Sequence, residues 1–172
     1  MNKLSFNNGI RLRPSTPSDA PFIEQLFRST REGILMADAE RDYLEAVVAQ
    51  QQELQINSYQ KNYPNAMIFI AEFHREKIGR VIVDFGDNVA NLIDIMFIPA
   101  ARGKGHGRTI ISALQEAARQ NHLPMTLVVD QVNVAAKQLY ISLGFMVESV
   151  KPPSELMVWY PDDRQRGLFS TL

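Results

Sequence analysis

The chain has 172 residues, of which 45% are hydrophobic and 22% charged, and its formal net charge is −1. This length suits one domain, residues 1–172, with an ordinary buried core. A nearly neutral chain has no overall attraction for nucleic acid or anionic membranes, and a chain without cysteine forms neither disulfides nor thiolate sites. We therefore expect a cytoplasmic protein with no nucleic-acid or membrane partner. The three histidines are scattered and lack the spacing of metal ligands, so we also expect no metal site.

The first 66 residues predict one strand and two helices. Ile10–Pro14 is typical of a strand that proline ends, and Thr16–Asp19 supplies capping residues for a helix that follows. A second helix is predicted from Asp38 to about Tyr59, and it is unusually rich in glutamine.

The remaining residues predict an alternation of strands and helices. Three strand-like runs cover residues 67–72, 78–84 and 91–98, and His74–Lys77 is predicted to form a hairpin loop. A helix over 109–120, a strand over 123–130, a helix over 135–142 and strands over 146–150 and 156–160 follow. The sum is one mixed α+β domain.

The most informative segment is a glycine-rich turn, residues 102–107, which joins an apolar strand to a helix. The first amides of a helix have no partner inside it, and together with the helix dipole they bind phosphate. Glycines at 103, 105 and 107 let the backbone approach an anion. Arg102, Lys104 and Arg108 add charge-assisted donors. The spacing fits neither a Walker P-loop nor a dinucleotide fingerprint, so we predict another kind of pyrophosphate site. The alternative is a structural turn with solvated basic residues.

Two motifs stand out in the second half of the chain. The first is Arg102-Gly-Lys-Gly105-His-Gly107, and the second runs from Asn133 to Phe145 and contains Leu139-Tyr140 and Gly144-Phe145. They resemble the two motifs of the GNAT superfamily of acyl-CoA N-acyltransferases, which are Arg/Gln-x-x-Gly-x-Gly/Ala and Asn…Ala…Leu-Tyr…Gly-Phe. The resemblance covers residues 67–160. It implies an α+β GNAT fold with a mixed central sheet of about seven strands, splayed between strands 4 and 5, and about four flanking helices. It also implies acetyl-CoA as cosubstrate and no metal.

The resemblance also implies which residues hold the cofactor. The main chain of residues 96–98 would pair with pantetheine, and amides from 104 to 109 would hold the pyrophosphate. The side chain of Asn133 would touch the cofactor, although its position favours a helix N-cap equally. His106 replaces a usually aliphatic residue, and we expect it to be incidental. The expected cofactor-binding residues are Met96, Phe97, Ile98, Arg102, Gly103, Lys104, Gly105, His106, Gly107, Arg108, Thr109, Asn133, Ala136 and Tyr140.

Two residues are the catalytic candidates. Tyr140 at the family's position would donate a proton or hydrogen bond to the departing thiolate, and the alternative is that its ring only packs in the core. Asp94 lies in an otherwise apolar strand and would serve as the base, or else as a structural carboxylate. Asp84, Asp130 or a water molecule are other bases.

We therefore predict acetyl transfer to a primary amine by direct attack, the acceptor being a small-molecule or peptide amine. A non-catalytic acyl-CoA-binding module is the second hypothesis, and a nucleotide-binding protein unrelated to CoA is the third. The polar stretch Tyr43–Tyr63 lines the acceptor pocket or forms a solvated helix face. The two last strands are compatible with a homodimer.

Overall fold

A computed structural model describes residues 4–6 and 8–162. Its strands are β1 (Leu4–Ser5), β2 (Ile10–Pro14), β3 (Met67–Phe73), β4 (Glu76–Phe85), β5 (Ala90–Phe97), β6 (Met125–Asp130), β7 (Met146–Lys151) and β8 (Ser154–Trp159). Its α-helices are α1 (Ala20–Ser29), α2 (Glu32–Leu35), α3 (Arg41–Asn62), α4 (His106–Gln120) and α5 (Val134–Ser142). The strands form a mixed sheet in the order β1-β2-β3-β4-β5-β6-β8-β7, which confirms the predicted fold class.

The chain divides into two compact units, which are described separately. The first unit contains the residues up to Ile82 together with Ile95–Lys104. The second unit contains Val83–Asp94 and the residues from Gly105 onward. The chain therefore passes from one unit to the other inside β4, inside β5 and just before α4.

The first unit buries one face of α1 and part of α3 with the strands around them. Leu26 and Phe27 of α1 are buried, as are Leu44 and Val48 of α3 and alternate residues of β2. These positions follow the helical and strand periods by which apolar side chains reach one face.

An ion-pair cluster holds the chain that enters α1. Both carboxylate oxygens of the fully buried Asp19 are used: Oδ1 accepts from Arg13 and Lys77 at 2.8 Å each, and Oδ2 accepts from Thr16 N at 2.8 Å. Arg13 also bonds Glu72 through its Nε at 3.1 Å. The cluster therefore ties the start of α1 to strands β2, β3 and β4.

The second unit is built on α4 and on β6, which pairs antiparallel with β8. The buried side of α4 carries Ile110, Ile111, Leu114 and Ala118. Strand β6 alternates buried and exposed residues, as a strand covered on one face does. The parallel pairing of β5 with β6 joins only Ala90 to Met125 and Asn91 to Thr126 within the described residues. The predicted splay thus begins two residues into β5.

The structure has two elements that were not predicted, α2 and β1, and several element boundaries differ from the prediction. The β3–β4 connection is a two-residue turn, His74–Arg75, with φ of 49° and 72°, and no Gly or Asn signalled it. Helix α2 is a single turn, which is too short to show a periodicity. Helix α4 begins at His106 rather than Thr109, because glycine supplies its cap where Ser, Thr, Asp or Asn would have marked a start. The two-residue β1 adds an eighth strand.

Candidate active site

The end of β5 lies unusually close to β4 in the first unit. A Cβ on Gly79 would be 2.4 Å from Met96 O and 2.7 Å from Phe97 Cδ1, so only glycine fits there. Gly79 was not among the predicted site residues, because its role depends on a strand that lies beside it and is distant in sequence.

The main chain of β5 offers fewer groups to a ligand than predicted. Ile98 N donates to Ile78 O at 2.8 Å, and Ile98 O accepts from Ala101 N at 3.0 Å. The N–H and C=O of successive strand residues point to opposite edges, so the N–H of Phe97 points away from β4. Both main-chain groups of Ile98 therefore have partners within the chain, and the pairing of residues 96–98 with pantetheine stays a prediction.

The guanidinium of Arg102 donates hydrogen bonds to groups within the chain near the end of β5. Its Nε donates to Phe97 O at 3.0 Å, and its Nη2 donates to Ser29 Oγ at 3.3 Å. The side chain that the sequence assigned to pyrophosphate thus connects the strand end to the last turn of α1.

Two glycines of the turn adopt left-handed backbone conformations. Gly103 has a φ of +72° and Gly105, the N-cap of α4, a φ of +84°. A side chain at either position would meet no atom within 4 Å, so the backbone is open to a close-fitting ligand. This geometry fits a pyrophosphate that approaches the main chain.

The first backbone N–H groups of α4 come before the i to i−4 hydrogen bonds of the helix begin. Thr109 N donates to Gly105 O at 3.1 Å, and the N–H groups of residues 106, 107 and 108 come before that bond. The Thr109 hydroxyl donates to the same carbonyl at 3.1 Å. The amides of the first turn, more than this hydroxyl, are thus the groups suited to an anion.

The other residues predicted around the turn differ in exposure. Lys104 and Arg108 are exposed, and Arg108 Nη2 donates to Ser142 Oγ at 2.7 Å. His106 is buried at 8% exposure, which agrees with a site that usually holds an aliphatic side chain. Its imidazole is therefore part of the packing at the start of α4.

Asn133 caps helix α5. Its Oδ1 accepts from Ala136 N at 3.3 Å, and both the cap and the first residues of the helix are exposed. The N-cap role is confirmed, and contact with the cofactor stays a prediction for Asn133 and for the half-buried Ala136.

Tyr140 and Asp94, the two predicted catalytic residues, interact within the second unit. Burial, and secondly the negative charge of Asp94, raise the pKa of Tyr140 to about 12. The ring of Tyr140 also meets that of Phe145 edge-on at 6.0 Å, so the ring packs within the second unit, and its chemical role stays a prediction. The phenol is protonated at every physiological pH, which is the state that a hydrogen-bond donor requires. The alternative base Asp130 is exposed and accepts a hydrogen bond from Ser154 at 3.1 Å.

Side chains of the polar stretch Tyr43–Tyr63 have two kinds of surroundings. Gln51 accepts a hydrogen bond from Arg31 Nε at 2.9 Å, which is a structural role. Tyr59, Gln60 and Tyr63, in contrast, line a cavity in the first unit together with Arg80. Arg80 was not among the predicted site residues, although an arginine within the apolar run of residues 78–83 was a usable signal.

The described residues contain neither a metal-ligand cluster nor a helix suited to span a membrane. No cluster of three or more His, Asp or Glu side chains there is arranged to hold a metal ion. None of the helices between residues 4 and 162, as far as they are described, is long and apolar enough to cross a bilayer.

Comparison with known proteins agrees with this geometry. The profile of the Acetyltransferase (GNAT) family matches residues 24–145. The chain therefore belongs to the GNAT family of acetyltransferases. No curated protein sequence matches the chain. The protein is an acyltransferase, and acetyl-CoA is its cosubstrate.

Three similar solved structures support the fold. The PaiA N-acetyltransferase of Thermoplasma acidophilum in complex with coenzyme A is 19% identical with a TM-score of 0.66, over 88% of this chain and 98% of that one. A spermidine N-acetyltransferase chimera from Vibrio cholerae and hSSAT is 20% identical in sequence with a TM-score of 0.62. The match covers 91% of this chain and 98% of that one. A GNAT acetyltransferase of Elizabethkingia anophelis with acetyl-CoA bound is 13% identical in sequence with a TM-score of 0.60. The match covers 90% of this chain and 99% of that one.

Proposed function

We propose that this protein transfers the acetyl group of acetyl-CoA to a primary amine by direct attack, in a ternary complex. The observation that carries the proposal is the half-buried Tyr140, whose ring packs edge-on against Phe145 and whose hydroxyl lies near enough to Asp94 for that charge to raise its pKa. In the reaction, the amine nitrogen bonds to the acetyl carbon, the carbon–sulfur bond breaks, and the thiolate departs. The amine also loses a proton.

The residues of this chain then have distinct roles. The amides at the start of α4 hold the pyrophosphate, and the N–H of Phe97 pairs with the pantetheine arm. Tyr140 donates a hydrogen bond to the departing sulfur. Because an ordinary thiol has a pKa near 8.5, well below that of this phenol, the proton stays mainly on Tyr140 and stabilises the thiolate from there. Asp94, directly or through water, accepts the proton of the amine.

The test is Tyr140→Phe, which removes the hydroxyl and retains the ring. We expect kcat to fall by about 10²-fold, since donors of this kind contribute about 10²–10⁴. The dissociation constant for acetyl-CoA, measured by calorimetry, should not change. Tyr43→Phe is the matched control, because Tyr43 is 64% exposed. Unchanged turnover in Tyr140→Phe would remove Tyr140 from the mechanism.

The non-catalytic alternative is tested by thiol release. Wild-type protein and acetyl-CoA are mixed with a broad panel of primary amines, and free CoA thiol is measured. Release that depends on an amine supports the transferase. Tight acetyl-CoA binding without release for any amine would instead support an acyl-CoA-binding module.

A further inference from the structure

A cavity of about 330 Å³ lies in the first unit at the C-terminal end of α3. This volume is in the range of small-molecule sites. Its walls combine apolar and hydrogen-bonding side chains, among them Ile56, Tyr59, Gln60, Tyr63, Arg80 and Ile82. No carboxylate is among the described residues that line it. The charge of the lining is therefore positive.

Arg80 provides that charge from a buried position. It is only 4% exposed and lies in β4 among apolar residues. A guanidinium has five N–H donors in a planar fork that matches a carboxylate, so it can serve a partner in the chain and a ligand together. Coulomb attraction is also stronger in a partly desolvated cavity than in water. The cavity is thus suited to an anionic group.

Arg80 places one wall of the cavity on β4, the strand that lies beside the end of β5, where we propose that acyl-CoA binds. Arg80 follows Gly79, which packs against Met96 O, and it comes two residues after Ile78, whose carbonyl bonds Ile98 N. Two residues span roughly 7 Å of a strand. A small molecule in the cavity is therefore near the end of β5.

On the basis of the acetyltransferase function proposed above, we propose that this cavity binds the carboxylate of the acceptor. Arg80 pairs with the carboxylate, hydroxyls of Tyr59 or Tyr63 assist it, and the isoleucines cover a hydrocarbon part. The acceptor class is a small amine that carries both a carboxylate and an apolar group, as amino acids do. A polyamine is disfavoured, because its charges would meet a buried cation.

The first test needs only the wild-type protein. Acetyl transfer is measured with L-phenylalanine and L-leucine, with their amides, and with spermidine. We expect kcat/KM to be about 10- to 100-fold higher for each acid than for its amide, because hydrogen bonds between charged groups are strong. Equal values within each pair, or spermidine as the best acceptor, would overturn the proposal.

The second test changes the cation. We expect Arg80→Gln to lower kcat/KM for the acids by about 10- to 100-fold and to leave the amides nearly unchanged, with Arg80→Lys between them. Arg75→Gln, at an exposed cation in the β3–β4 turn, is the control and should behave as wild type. If Arg80→Gln does not fold, Tyr63→Phe together with Tyr59→Phe tests the cavity without touching the cation, and it should reduce the preference for the acids. Equal losses for acids and amides would assign a structural role and contradict the proposal.

Binding without turnover separates this proposal from the proposed function. Calorimetry in the presence of CoA compares N-acetyl-L-phenylalanine with N-acetyl-L-phenylalaninamide. Binding of the acid about tenfold tighter than the amide supports the cavity assignment, even if no amine is acetylated and the transferase proposal fails. Equal binding, with acetylation of amines intact, refutes the carboxylate site alone.

Discussion

Gly105 shows how much of this site depends on single residues. Its φ of +84° is a left-handed conformation that costs an L-residue roughly 1–2 kcal/mol, and the space that a side chain would enter is where we place the pyrophosphate. The glycine motif alone predicted that the main chain is open to an anion at this position. The sequence could not show the partners of Arg102 and Ile98, because those partners come from other elements.

Gly105→Ala should weaken both stability and CoA binding. We expect a loss of about 1 kcal/mol in the free energy of unfolding from backbone strain, and a roughly tenfold higher dissociation constant for CoA from the added methyl group. Denaturant titration and calorimetry measure the two. The control is Gly33→Ala in α2, where the φ is ordinary and no atom lies within 4 Å of the new methyl group. A destabilised Gly105→Ala variant that binds CoA like wild type would show that the turn is only structural.

At the scale of elements, the entry to α1 depends on one buried carboxylate. The hydrogen-bonded guanidinium of Arg13, with help from Lys77 and Thr16 N, holds the pKa of Asp19 well below its ordinary value although burial opposes this. A lowered folded-state pKa means that the ionised form stabilises the fold. That contribution is complete above the unfolded pKa of about 3.9 and is lost progressively as the pH falls below it.

Asp19→Asn should therefore destabilise the protein in a pH-dependent way. We expect a loss of about 3 kcal/mol in the free energy of unfolding at pH 7, since removal of the buried carboxylate leaves the partly buried cations Arg13 and Lys77 uncompensated. The difference from wild type should narrow as the pH falls below about 4. Asp38→Asn, at an exposed carboxylate, is the control. A difference that is constant with pH, in urea titrations from pH 7 to pH 3, would mean that the ionisation of Asp19 contributes nothing.

The elements that could be predicted are those with a clear period. Strand β2 and the ends of α4 and β6 agree with the sequence analysis, because apolar spacing and a following turn defined them. The β3–β4 turn was wrong by two residues at its C-terminal end, since His74 and Arg75 take positive φ values without the usual glycine or asparagine. Local signals identify elements well, but they do not show backbone conformations that neighbouring strands stabilise.

At the scale of the whole molecule, two sequence motifs defined the family, while the cavity around Arg80 required the structure. The residues of this cavity come from α3, the segment after it and two strands, so they are not contiguous in sequence. Each of them has an ordinary structural explanation when it is considered alone. Their chemical meaning arises only from their common location, which no spacing rule predicts.

Binding of the cosubstrate should stabilise the whole fold. A ligand at 100 times its dissociation constant adds about 2.7 kcal/mol, and for a chain of this size each kcal/mol raises Tm by about 2–4 °C. Acetyl-CoA should therefore raise Tm by about 5–10 °C in a thermal unfolding scan. ATP at the same concentration carries adenine, ribose and phosphates but no pantetheine arm, and it should raise Tm much less. In Gly105→Ala, the acetyl-CoA shift should shrink because the pyrophosphate contacts are disturbed. A larger shift with ATP than with acetyl-CoA would instead point to a nucleotide site, and the roles that we propose for Phe97 and Tyr140 would fall with it.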